Sequence, residues 1–174
     1  MLGLWQWHRF EDRSAGVAAI TENYDASPVS IDTVLPSETS ALPAARDYTV
    51  VEESGEYCTK PECVLYVRNR TLGSSVGFWQ LVPFRLDDGG VLLVVRGWVE
   101  GASATSAPAS EPAVPRGHVT VRARLRATEN QLSDRAAVPG QLQSVNAPDV
   151  EAQAADLTGI YTGAVSYTHL TLPT

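Results

Sequence analysis

The sequence predicts a mainly β protein, a small antiparallel barrel or sandwich preceded by an N-terminal helix, and three observations carry that expectation. Val91-Leu92-Leu93-Val94-Val95 places apolar side chains on both faces of one strand, as a strand covered on two sides requires. Asp87-Asp88-Gly89-Gly90 stands immediately before it, residue types that tolerate the positive φ angles of a tight hairpin turn. His118 to Arg126 alternates, with Val119, Val121, Ala123 and Leu125 on one face and His118, Thr120, Arg122, Arg124 and Arg126 on the other, the mark of a strand with one wet face.

The remaining elements follow along the chain. Residues 2 to 22 form a helical stretch carried up to Asn23 and broken by Asp25-Ala26-Ser27-Pro28. A connecting arm with Pro36 and Pro43 occupies 25–46, and the β domain is expected over 47–165. Its first strand is placed at Asp47 to Glu53, running through Ser54-Gly55-Glu56-Tyr57 into a loop between two cysteines. Val64 to Arg70 and Ser75 to Phe84 are the second and third strands, with Gly77 marking a bend or a close backbone approach. Val91 to Val99 is antiparallel to the third. Residues 101–115 are almost entirely alanine, serine, glycine, threonine, proline and glutamate, too little apolar surface to order themselves, and are expected to be a mobile loop. A short helix from Asp149 to Ala155 and a last apolar segment from Ile160 to Val165 complete the reading.

Composition limits the function. A chain of 174 residues that is 44% hydrophobic supports one ordinary core. A net charge of -7 disfavours nucleic-acid binding, which needs a basic surface to neutralise phosphates. The cluster Arg116, Arg122, Arg124 and Arg126 suits either a solvated strand face or a contact with lipid headgroups or an acidic partner. Met1 to Trp7 is apolar and tryptophan-rich but far short of the roughly 20 residues a bilayer-crossing helix needs. Two readings stand. It is the outer end of a longer membrane helix, with Trp5 and Trp7 at headgroup depth and His8, Arg9, Glu11, Asp12 and Arg13 in water, or an amphipathic helix docking Leu2, Leu4, Trp5 and Phe10 on the domain.

Arg96 is the first residue that needs a chemical account, because it interrupts an apolar strand just before Gly97 and Trp98. A guanidinium drawn out of water requires acceptors round its planar fork: a buried acid, carbonyls or an anionic ligand. The alternative is an arginine at the solvated strand end with a tryptophan over its stem. Cys58 and Cys63 flank Thr-Lys-Pro-Glu and form a disulfide candidate, with a pair of free thiols and a redox or copper-handling pair as alternatives. Little else carries chemistry. His8, His118 and His169 have no second ligand at metal spacing, the serines lie in flexible stretches without a partner base, and Asp87 and Asp88 belong to a turn. A non-catalytic protein is expected.

Taken in order, these landmarks resemble the Surfeit locus protein 1 family of cytochrome c oxidase assembly factors. Leu2-Gly3-Leu4-Trp5-Gln6-Trp7-His8-Arg9 is similar to that family's entry motif, with Trp5, Gln6 and Arg9 at its matching positions. Gly55-Glu56-Tyr57 resembles its glycine-x-aromatic element through Gly55 and Tyr57. Arg70, Gly77 and Val82-Pro83-Phe84 are similar to its arginine, its glycine and its proline-phenylalanine run, with Pro83 at the proline. Val94-Val95-Arg96-Gly97-Trp98-Val99 resembles its most characteristic signature through Arg96, Gly97 and Trp98, with Val95 where asparagine is common. The likeness covers residues 2 to about 165.

The resemblance implies residues 1–24 as the outer end of an N-terminal membrane helix and its extension, and a β domain on the extracytoplasmic side of a bacterial cell membrane. It implies an assembly factor that aids maturation of oxidase subunit I, with haem a a cofactor of the full-length protein through a histidine on a second membrane helix. Its partners would be subunit I or its assembly intermediates and membrane lipid. No haem ligand is carried onto this chain, His169 included, so no cofactor is expected in it. Twelve arginines against one lysine suit a high-GC bacterium such as an actinobacterium. Residues 166–174 resemble nothing in the family and are expected to be non-native. Two other functions remain open: a soluble small-ligand-binding β-barrel, and a structural adaptor of the oxidase without haem contact.

Overall fold

The computed structural model describes residues 16–101, 107–132, 138–154 and 156–168. Residues 16–24 are helical (α1), and seven strands follow: β1 Val50–Tyr57, β2 Leu65–Leu72, β3 Ser75–Leu86, β4 Val91–Glu100, β5 His118–Ala127, β6 Gln141–Leu142 and β7 Ala164–Tyr167. A second helix, α2, spans Ala147–Gln153 between the last two strands. The protein is mainly β, as expected.

All seven strands belong to one sheet in the order β1-β5-β7-β4-β3-β2-β6. A further pairing of β1 with β3 returns the sheet on itself, so that β1, β5, β7, β4 and β3 trace a closed circuit. The expectation of a wholly antiparallel sheet needs correction, because β7 runs parallel to β4 and β6 parallel to β2. The physical reason is the long crossover from β5 through β6 and α2, which brings the chain back in the direction of β4 instead of by a hairpin.

β4 is buried on both faces, which is why its sequence lacks alternation. Leu92 and Val94 join Val51, Val82, Phe84 and Leu125 in one layer, closed by Ile31, Val34 and Leu35 of the connecting arm. Val91, Leu93 and Val95 join Leu65, Val67, Leu81 and Val165 in a second layer, covered by Val145, Ala147 and Val150 on and before α2. The α2 terminus is specified locally: the Asn146 side chain accepts from the Asp149 amide at 2.9 Å and Pro148 sits in the first turn. That moves the helix start two residues ahead of the expected Asp149.

The Asp87 to Gly90 turn forms as predicted. Asp88 accepts from the Gly90 amide at 3.0 Å, and Gly89 takes φ +100°. β1 runs on to Tyr57 instead of ending at Glu53, because Gly55 and Tyr57 gain β3 as a neighbour. Pro83 is tolerated inside β3 because β2 pairs only as far as Leu81 and β1 begins at Phe84. Its carbonyl accepts from the Cys58 amide at 2.9 Å, so the position of its missing N–H faces this gap. Within the stretch expected to be mobile, Gly101 bridges Pro108, and the carbonyls of Pro112 and Ala113 accept side-chain hydrogen bonds. Ser166 and Tyr167, placed by sequence in a foreign tail, lie in β7 and are buried.

Closure depends on a glycine. Gly55 pairs with Val119 of β5 and Leu86 of β3 at once, and a Cβ there would collide with the Arg85 carbonyl. Gly55→Ala should therefore cost about 3 kcal/mol, read as a fall in Tm of roughly 6–12 °C by calorimetry. An unchanged melt would show that β1 and β3 do not approach this closely.

Candidate functional site

Two β-bulges place two arginines. Opposite Gln80 and Leu81 of β3 stand Gly97 and Val95 of β4, so Arg96 is the extra residue. Opposite the stretch from Gly77 to Trp79, β2 jumps from Val67 to Arg70, with Asn69 at φ +57°. A bulge bends the strand and re-aims the side chain beside it, and neither insertion follows a simple sequence pattern.

Arg96 is half-buried among neutral acceptors. Its Nη1 donates to Gln80 Oε1 at 2.7 Å and to the Ala113 carbonyl at 3.1 Å, and its guanidinium carbon lies 5.4 Å from the Tyr57 ring centroid. The buried acid that sequence offered as one partner is not the observed one. Gln80 is 1% exposed and fully engaged, its Nε2 donating to the Pro112 carbonyl at 2.7 Å and to the Tyr66 hydroxyl at 3.3 Å. Burial pushes the Tyr57 hydroxyl above its ordinary pKa, with the Arg96 charge opposing; Tyr66 is raised by burial too.

Arg70 is held by opposite charge. Its two Nη atoms donate to the two carboxylate oxygens of Glu129 at 2.8 and 2.6 Å, while the guanidinium stacks 4.2 Å over Trp79. Glu129 also accepts from the Val145 amide at 2.9 Å, tying β2 to the segment before α2. Trp79 packs edge-on against Tyr167, and Trp98 donates through Nε1 to the Arg70 carbonyl at 2.8 Å. Gly77 supplies the expected close approach: an added Cβ would strike the Val99 carbonyl and meet the Trp98 ring at 2.6 Å.

Cys58 and Cys63 form a disulfide, which with Tyr57, Pro83 and Leu157 walls a cavity of about 320 Å³. The structure thus brings Tyr57, Arg96 and the cysteine loop towards one end of the core, and Arg70, Gly77 and Trp98 into a second station. Gly97 sits at the bulge with open space at its α-carbon, so no steric demand explains its glycine. Trp5, Gln6 and Arg9 lie outside the described residues, as do Trp7, His8 and His169. Sequence reasoning missed Gln80 and Glu129. A lone glutamine in the apolar run Phe78 to Phe84 was the available signal for the first; Glu129, in an irregular segment, offered none.

The residues described do not make an iron or other metal site. No group of three potential ligands occurs among them, and His118 is spent on Asp87, with Nε2 3.0 Å from both carboxylate oxygens. Among the described residues no helix is long and apolar enough to cross a membrane.

Fold and site together define a mainly β domain organised round half-buried arginines. The chain belongs to the SURF1 family, whose model it matches over residues 1–172. An uncharacterised SURF1-like protein of Mycobacterium bovis is 32% identical over 135 residues, 78% of this chain and 48% of that protein, and one of Mycobacterium tuberculosis matches equally. A SURF1-like protein of Rickettsia bellii is 26% identical over 98 residues, 56% of this chain and 37% of its own length. The chain therefore spans about half the length of the mycobacterial relatives or less.

Glu129→Gln leaves Arg70 without its counter-charge, the two side chains being only 17% and 33% exposed; a loss of about 2 kcal/mol is expected in urea unfolding, and no loss would show the pair to be ornamental. Asp87 raises the pKa of His118 above 6.5, through its hydrogen bond first and its charge second. The stabilising contribution is thus fully present below the unfolded-state value and lost as pH rises through the folded one. NMR titration should give a His118 midpoint that falls in Asp87→Asn; an unmoved midpoint would refute the pairing.

Proposed function

We propose that this chain is the extramembrane body of a cytochrome c oxidase assembly factor that aids maturation of subunit I. The observation that carries the reading is the family match over residues 1–172. The placement of the motif residues supports it: Gly55, Tyr57, Gly77, Pro83, Arg96 and Trp98 hold the sheet's closure and its two bulges, with no arrangement of nucleophile and base among them. Such a protein works by holding an intermediate and releasing it, without chemistry of its own.

On this reading residues 1–24 lead out of a membrane helix, 25–46 form the arm, and the β domain from 47 stands on the extracytoplasmic side of a bacterial cell membrane. A body tethered at the bilayer meets a membrane-embedded partner at a high effective concentration, so a modest contact suffices. Subunit I or its assembly intermediates, with membrane lipid, are the partners. Haem a would be handled by the full-length protein; the described residues do not fit an iron site, and no step is assigned to them.

Deletion of the gene in its own bacterium, followed by complementation, tests this. Oxidase activity and the haem a absorbance band should both fall on deletion and return with the full-length gene. Full oxidase activity in the deletion strain would refute the reading. Haem titration of the purified full-length protein separates haem handling from a purely structural adaptor.

A further inference from the structure

Four arginines among the described residues lie over aromatic rings: Arg70, Arg96, Arg124 and Arg126. Arg70 has Glu129, and Arg126 has Asp47 at 3.0 Å. Arg124 donates to the Tyr24 carbonyl at 3.0 Å, at the negative end of α1. Arg96 alone of the four has neither an acid in ion-pair reach nor a helix end among the described residues.

Its charge is instead relayed. Arg96 can only donate, so the Gln80 oxygen must face it and the Gln80 amide nitrogen must face Tyr66. Tyr66 accepts from that nitrogen, which leaves its own proton without an acceptor among the described residues. Aligned hydrogen bonds polarise one another, so the row Arg96, Gln80, Tyr66 ends in a strengthened O–H donor. Tyr66 is 6% exposed and lines a cleft of about 430 Å³ between the cysteine loop and residues 111–116. Arg116 and Thr59 line it also, while Pro61, Val64 and Val114 give it apolar walls. Glu111 lines the same cleft as its one acid, and is exposed.

We propose that this cleft binds an apolar organic acid, its carboxylate accepting from the Tyr66 hydroxyl near Arg116, with Arg96 and Gln80 as positioning residues behind Tyr66. The walls take the hydrocarbon part, as in small-ligand sites generally. Tyr66 is a neutral donor at neutral pH as any phenol is, and burial shifts its pKa further upward. Glu111 repels the same carboxylate and sets the affinity low.

The test uses the 174-residue chain, octanoate as the probe and octanamide as its neutral control, followed by amide NMR shifts. Octanoate should give saturable shifts in residues 59–66 and 111–116, and octanamide should bind about tenfold more weakly, because its neutral carbonyl accepts from Tyr66 without the charge assistance of a carboxylate. Tyr66→Phe should reduce that preference, leaving the part owed to Arg116, and Glu111→Gln should tighten octanoate. Arg96→Gln should weaken octanoate and raise the titration midpoint of the Tyr66 phenol, a shift that a merely structural arginine would not produce. If Arg96→Gln does not fold, Tyr66→Phe and Glu111→Gln decide the matter. Equal binding of acid and amide, unchanged preference in Tyr66→Phe, or shifts confined to other surfaces would overturn the proposal. Because the purified chain is the only component, this outcome is independent of the oxidase reading.

Discussion

The shared edge of β3 is the constraint on which the architecture rests. One edge pairs with β4 throughout; the other is divided, its first part taken by β2 and its last residues by β1. The division leaves a gap at Pro83, which lacks the donor that a continuous neighbour would need, and the cysteine loop occupies that gap. Closure of the five-strand circuit, the position of the disulfide and the entry of Tyr57 into the core all depend on this change of partner.

The bulges on either side of β3 then decide where charge sits. With strict pairing, Arg96 would take its turn in the alternation of β4; as an inserted residue it turns towards Gln80 and the docked 112–113 carbonyls. Arg70, back in register opposite Gly77 just past the bulge in β2, finds Glu129 across the molecule. The two arginines are held by different physics. A carboxylate meets Arg70 directly, so that site is internally neutral, while neutral dipoles meet Arg96 and carry its field outward.

The chain belongs to the SURF1 family, and the side chains at these points have structural roles that the fold itself makes plain. Gly55 and Gly77 permit backbone approaches, Trp98 covers one of them, and Tyr57 and Arg96 pack together at one end of the core. The chain covers about half of each mycobacterial relative.

The mainly β class, the Asp87 to Gly90 hairpin, the double burial of β4 and the need for close approach at Gly77 were legible in the sequence, because turn residues, apolar parity and glycine act over a few neighbouring positions. The parallel pairings of β7 and β6, the closure at Gly55 and the engagement of residues 108–113 depend on segments far apart in the chain. For the site, sequence singled out Arg96 as a cation needing partners and Arg70 only through its likeness to a family motif, yet could not name Gln80 or Glu129. A buried charge announces its own cost locally, whereas the group that satisfies it lies 16 residues away for one and 59 for the other, and only the folded sheet brings them within hydrogen-bonding distance.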